Sequence, residues 1–203
     1  MNRIIPWLKK YKVIVIGIVA TIFIGFAIYA ILDRGNQQEF INEEAGYKFT
    51  YPKKTWHEAI QEELEELNGF KLESDVKVKN AIIKNDDKTV SFSVIDSDIP
   101  SGKKFNRDKS IEKMHEDLEF RHNSYNRIKA EKIEFLGYEA IDYEFEYSFI
   151  IGFQSETQYR QERQVIFLAD DKIYRMICAS KPEDYDNNKN DFDKIIKSFK
   201  LID

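Results

Sequence analysis

Twenty consecutive residues without a charge, Val13 to Leu32 (VIVIGIVATIFIGFAIYAIL), constrain everything else in this 203-residue chain. At about 1.5 Å rise per residue, a helix of that length covers a hydrocarbon core of roughly 30 Å. The run is apolar all round rather than along one stripe, which argues against a buried amphipathic helix. It also exceeds the roughly 7 to 15 residues of a cleavable signal peptide, although Ile28 and Ala30 stand at cleavage-site spacing. No cysteine lies near its end for lipid attachment. Arg3, Lys9, Lys10 and Lys12 precede the run, no acid does, and Asp33 and Arg34 beyond it nearly cancel. The positive-inside rule then predicts a cytoplasmic tail at 1–12, a transmembrane helix at 13–32 and a domain outside the cytoplasm.

Charge narrows the partners of that domain. Removing the four leading cations from 31 Lys and Arg leaves 27, against 36 Asp and Glu, a net charge of −9 after the apolar run. Such a domain repels nucleic acid and anionic headgroups. Cys178 is the single cysteine, so no intramolecular disulfide forms and stability must come from packing.

Residues 33–44 (GNQQEFINEE from Gly35) are polar and read as a linker, leaving 45–203 as one domain. Tyr47, Phe49 and Tyr51 alternate with polar residues up to Pro52, the pattern of a half-buried strand. Trp56, Ile60, Leu64 and Leu67 follow at helical spacing with five glutamates on the other faces, predicting an acidic amphipathic helix. Two apolar runs between Ala81 and Ile95 bracket Asn85 to Lys88 as a hairpin, and Pro100 to Gly102 mark a loop. A helix is predicted from Asp108, as N-cap, to Asn123, with Ile111, Met114 and Leu118 as its apolar stripe.

From Glu139 to Phe149 the alternation is the strongest strand signal in the chain. Ile141, Tyr143, Phe145, Tyr147 and Phe149 fall on a core face, and Asp142, Glu144, Glu146 and Ser148 on a wet one. Tyr159 to Leu168 runs back, with Arg160 and Arg163 available to pair with those acids. Asp170 and Asp171 form a turn and Ile173 to Ala179 the last long strand, completing an antiparallel meander. Ser180 to Glu183 has capping-box spacing for a final helix, with a break expected at Asn187 and Asn188 and Phe192, Ile195, Ile196 and Phe199 as the apolar stripe beyond it.

This order resembles the Mog/PsbP-like superfamily. The resembling residues are Gly46, Tyr47, Phe49, Tyr51, Pro52 and Trp56 at the front, Gly137, Tyr138 and Ala140 in the middle, and Tyr185 with Asp191 to Phe199 at the back. The resemblance implies an α+β fold, a single α/β/α sandwich with a mainly antiparallel sheet behind the transmembrane helix. It also implies a binding or assembly module rather than an enzyme, with no cofactor.

Candidate chemistry is sparse. His115, Glu119 and His122 share a helix face, and HEDLE at His115 resembles a zinc-protease motif with Glu119 in place of the second histidine. These three are the metal-ligating candidates of the alternative reading, a divalent-metal-binding protein or metal-dependent hydrolase with Glu116 as its base. Asp142, Glu144 and Glu146 form a row of acids that either holds a cation or is matched by the arginines. Cys178 alternates with Tyr174 and Met176 and reads as an inert core thiol. The hairpin end Phe149, Ile150, Ile151, Gly152 and Phe153 is unusually apolar for a turn. It is either core or a surface for a protein partner or the lipid interface. The expected protein is thus anchored in the cell membrane through Val13 to Leu32, faces a protein partner at the cell surface and binds no nucleic acid.

Overall fold

The structure, a computed structural model, describes residues 35–60, 62–63, 81–99, 105–122, 124–150 and 157–202. The predicted tail and transmembrane helix lie outside these residues, as do Leu64, Leu67, Pro100 to Gly102, Ile151, Gly152 and Phe153. Among the described residues no helix is long and apolar enough to cross a membrane.

In chain order the elements are β1 (Gln37–Asn42), β2 (Tyr47–Pro52), β3 (Trp56–Glu58), β4 (Ala81–Lys84), β5 (Ser91–Asp98), α1 (Arg107–Arg121), β6 (Tyr125–Phe135), β7 (Tyr138–Ile150), β8 (Thr157–Ala169), β9 (Lys172–Ser180), α2 (Pro182–Ser198) and β10 (Lys200–Leu201). Seven strands form one sheet in the order β3-β4-β5-β9-β8-β7-β6, and β1-β2-β10 form a second, smaller one. The strand pairings in the large sheet are antiparallel. Residues 38–203 make one compact unit. The helix on each face and the antiparallel sheet match the expected sandwich. The small sheet was not predicted.

Turn chemistry fixes the register of the meander. Leu136 and Gly137 join β6 to β7 with positive φ at both positions, and Asp170 and Asp171 do the same between β8 and β9. Two-residue turns of this hand match the right-handed twist of the strands they join.

One face of the large sheet meets α2 and the small sheet in the main core. Val165, Phe167, Tyr174, Met176 and Cys178 pack there against Tyr47, Phe49, Phe192, Ile195 and Phe199. Closing β10 onto β2 ties the chain end to this core, and Tyr174 donates to the Ala45 carbonyl at 3.0 Å. On the opposite face Ile141, Tyr143 and Phe145 lie beneath Ile111, Met114 and Leu118 of α1.

Five readings need correction. Gln37–Asn42, assigned to the linker, is a strand whose Phe40 is buried in the core. Trp56 begins β3 rather than a helix, because its ring packs edge-on to Phe192 and its indole donates to Asp191 at 3.3 Å. The cap of α1 is Asn106, whose side chain accepts from the Lys109 amide, so Asp108 falls inside the first turn. At α2, Ser180 makes no cap, since its hydroxyl donates to the Lys181 carbonyl, and Pro182 opens the helix instead. The helix also runs unbroken through Asn187 and Asn188, where Asn188 donates back to the Asp184 carbonyl and accepts from Lys84 at 2.7 Å.

Candidate functional site

Strand β7 organises the polar chemistry of the molecule, and its acid-bearing face is the largest departure from expectation. Asp142 is 2% exposed and Glu144 7%, with Ser148 also buried, so this face is not wet. The long hairpin arms β7 and β8 pair Asp142 with Val165 and Glu144 with Arg163, which sets the arginine diagonally beside Asp142 on one side of the sheet. Arg163 donates to both Asp142 oxygens, at 2.8 and 3.0 Å, and Lys129 of β6 donates to the same carboxylate at 2.8 Å. The second arm of the guanidinium reaches Asp193 of α2 at 2.6 Å. Glu144 accepts from the buried Gln161 at 2.7 Å.

A carboxylate taken out of water strongly prefers to be neutral unless charged donors surround it. Burial does push against ionisation of Asp142, but the hydrogen bonds and charges of Arg163 and Lys129 outweigh it and hold the carboxyl below its ordinary value. Such a group serves as a clamp between sheet and helix. Its lone pairs are already occupied, which leaves it poorly suited to hold a cation or move a proton.

Arg160, expected to join the same row, lies on the other side of the sheet. It donates to Ser91 at 3.1 Å and sits 3.6 Å from Glu162, whose carboxylate accepts from Tyr147 at 2.6 Å and from Gln164 at 3.1 Å. Sequence alternation could have shown this, since Arg160 and Arg163 are an odd number of residues apart and so face opposite ways.

The histidine face of α1 is present, but each ring has found a tyrosine. His115 Nδ1 is 3.2 Å from the Tyr125 hydroxyl, which is itself bonded to the Tyr143 hydroxyl. The His122 ring lies 4.3 Å from that of Tyr147. Burial lowers the pKa of His122, with the Ser148 carbonyl and Glu162 pulling the other way. Glu119 is 3.9 Å from His115 Nε2. Among the described residues no group of three or more His, Cys, Asp or Glu is placed to hold a metal. Cys178 is buried, and burial pushes its thiol far up, which disfavours the nucleophilic thiolate.

At the far end of the β7–β8 hairpin the predicted partner residues divide. Phe149 is half-buried against Tyr147, with rings 5.7 Å apart, while Ile150 is 59% exposed. Tyr159, which the sequence reading passed over as an ordinary strand residue, is also 59% exposed. Ser148 pairs with Tyr159 and Ile150 with Thr157, so Ile150 and Tyr159 are diagonal neighbours on one side of the sheet.

Comparisons with known proteins show the family and the fold. The chain is similar to the solution structure of cyanobacterial PsbP from Synechocystis sp. PCC 6803, at 20% identity and a TM-score of 0.54, over 82% of this chain and 92% of that one. That likeness shows the fold. A Pseudomonas aeruginosa protein of unknown function is similar at 14% identity and a TM-score of 0.46, over 80% of this chain and 95% of the other. No match was found among curated protein sequences. Residues 14–201 match the family described as PsbP-like protein. Six of the aromatic residues that carried the resemblance build the core: Tyr47, Phe49, Tyr51, Trp56, Tyr185 and Phe192 are all fully buried. This chain belongs to the PsbP-like protein family.

Proposed function

We propose that the chain is a single-pass membrane protein whose domain stands outside the cytoplasm and binds or organises a protein partner without catalysing a reaction. The observation that carries this reading is the diagonal placement of Ile150 and Tyr159 on one side of the sheet, two large side chains that are both exposed. A solitary exposed apolar residue is ordinary, whereas neighbouring ones at the adjoining ends of β7 and β8 form the beginning of a contact surface. Family membership supports the same reading, as does the engagement of Asp142 and Cys178 in structure rather than chemistry. The membrane assignment rests on Val13 to Leu32 and the cations before it, and the family match begins inside that run. The wider kinship with Mog-type binding proteins is part of this proposal.

The buried native cysteine gives a clean background for testing topology. Lys53→Cys, in the exposed turn after β2, is expected to react with a membrane-impermeant maleimide on intact cells, and Asn2→Cys only after permeabilisation. The reverse pattern rules the orientation out. Partner binding is read by crosslinking in the same cells: a reproducible adduct lost in the Ile150→Ser, Tyr159→Ser double variant is the expected result, and an unchanged adduct rejects the hairpin surface.

A further inference from the structure

A second surface lies at the edges of the two sheets. A cleft of about 620 Å³ is lined by Phe40, Ile41, Asn42, Glu43 and Glu44 from β1 and its turn, and by Glu58, Ala59 and Ala81 where β3 meets β4. Both strands that border it are terminal: β1 ends the three-stranded sheet and β3 the seven-stranded one. Among the described residues, no strand pairs with the outer edge of β1, which therefore offers a row of backbone donors and acceptors. The turn that carries Glu43 and Glu44 is fixed by Asn42, which accepts from the Ala45 amide at 2.9 Å, and by the Gly46 amide on the Asn42 carbonyl at 2.9 Å. Gly46 has φ of +75°, a conformation that glycine adopts without strain.

Its chemistry is one-sided. Among the described residues that line the cleft are three carboxylates, those of Glu43, Glu44 and Glu58, and no lysine or arginine. Of its apolar lining, Ile41 is 51% exposed and Phe40 is buried. A small cation would use the acids and leave Ile41 and the strand edge without a role. An anionic partner would be repelled. An extended peptide with alternating basic and apolar residues uses all three features, because strand addition supplies backbone bonds while alternate side chains face the acids and Ile41.

We propose that this cleft receives an extended, lysine- or arginine-bearing segment of a partner protein, added as a strand to the open edge of β1 with its cations against Glu43, Glu44 and Glu58. The site goes beyond the hairpin surface and stands without it.

The test uses the full chain in zwitterionic lipid nanodiscs, which do not themselves attract cations. The probe is a blocked hexapeptide of alternating lysine and valine, titrated by calorimetry at low and high salt. It is expected to bind, to weaken as salt screens the acids, and to lose about tenfold in affinity in the Glu43→Lys, Glu44→Lys variant. A probe N-methylated on alternate amides is expected to bind about tenfold more weakly, since it cannot complete the ladder. Equal binding of the N-methylated probe, equal binding of a glutamate–valine probe, or unchanged affinity in the charge-reversed variant overturns the proposal. Ile150→Ser leaves peptide binding unchanged if the two surfaces are separate, and loss of binding in that variant refutes the assignment to the cleft.

Discussion

Helix α2 buries Tyr185, Asn188, Phe192, Ile195 and Ile196 against one side of the sheet, whereas α1 on the other side buries no residue completely. The two helices have nearly the same length, 17 and 15 residues, so length does not explain the contrast. α2 lies in the closed core between β2, β8 and β9 and is tied down further by the Arg163–Asp193 ion pair. α1 lies on the β6–β7 end of the sheet, caps itself with Asn106 and leaves Phe120 at its outer face 92% exposed. The lesson is that one helix is held by packing and the other by local structure plus a half-buried stripe. The second kind opens at lower free energy.

That contrast can be broken by truncation. Phe192→Ala is expected to cost about 3–5 kcal/mol in urea unfolding, because the emptied site lies among large aromatic rings that cannot all collapse. Leu118→Ala in α1 is expected to cost about 1 kcal/mol, since the side chain is only half-buried and loses less transfer free energy. Equal losses at the two positions would refute the distinction.

The ion-pair clamp sharpens it. Asp142→Ala leaves the partly buried Arg163 with Asp193 as its remaining acid partner, and a loss of about 3 kcal/mol is expected. The same group sets a pH dependence. Its folded pKa is lowered from 3.8, so the unfolded chain binds a proton at a higher pH than the folded one. The stabilisation is therefore complete above about pH 5 and is lost as pH falls through 3.8 towards the folded value. Acid unfolding curves of the wild type and Asp142→Asn should converge at the acid end of this range. A constant gap between them would show that the clamp does not titrate.

The smallest effect is expected at the cap. Asn106→Ala should cost about 1 kcal/mol and raise amide exchange in the first turn of α1 without changing that of α2. Exchange that rises equally in both helices would mean that they open as one unit.

Legibility followed the side chains. The alternation of Ile141 to Phe149 and the acidic turn at Asp170 and Asp171 located β7, β8 and β9, because each signal is local. Strand β6 was missed: its sequence YNRIKAEKIEF carries charges along an exposed sheet edge, and an edge strand has no need of regular apolar alternation. The strand nature of Gln37–Asn42 and of Trp56 was hidden for another reason, since each is specified by partners far away in sequence. Tyr159 escaped notice because nothing in the residue itself records that the fold leaves it exposed. Similarly, a row of acids reads as solvated until the chain brings Arg163, Lys129 and Gln161 beside it.

The sequence alone determined the uncharged run at 13–32, the acidic balance behind it, the antiparallel meander, the apolar stripe of α2 and the inert character of Cys178. These depend on composition, on periods of 2 and 3.6 residues and on turn residues, all properties of neighbouring positions. Tertiary structure decided which face of β7 is dry, which arginine meets Asp142, how the chain end closes a second sheet, and where two strand edges leave an acidic cleft. Those outcomes depend on residues distant in sequence meeting in space, as Arg163 meets Asp142 across 21 positions and Trp56 meets Asp191 across 135, and no local pattern encodes such a meeting.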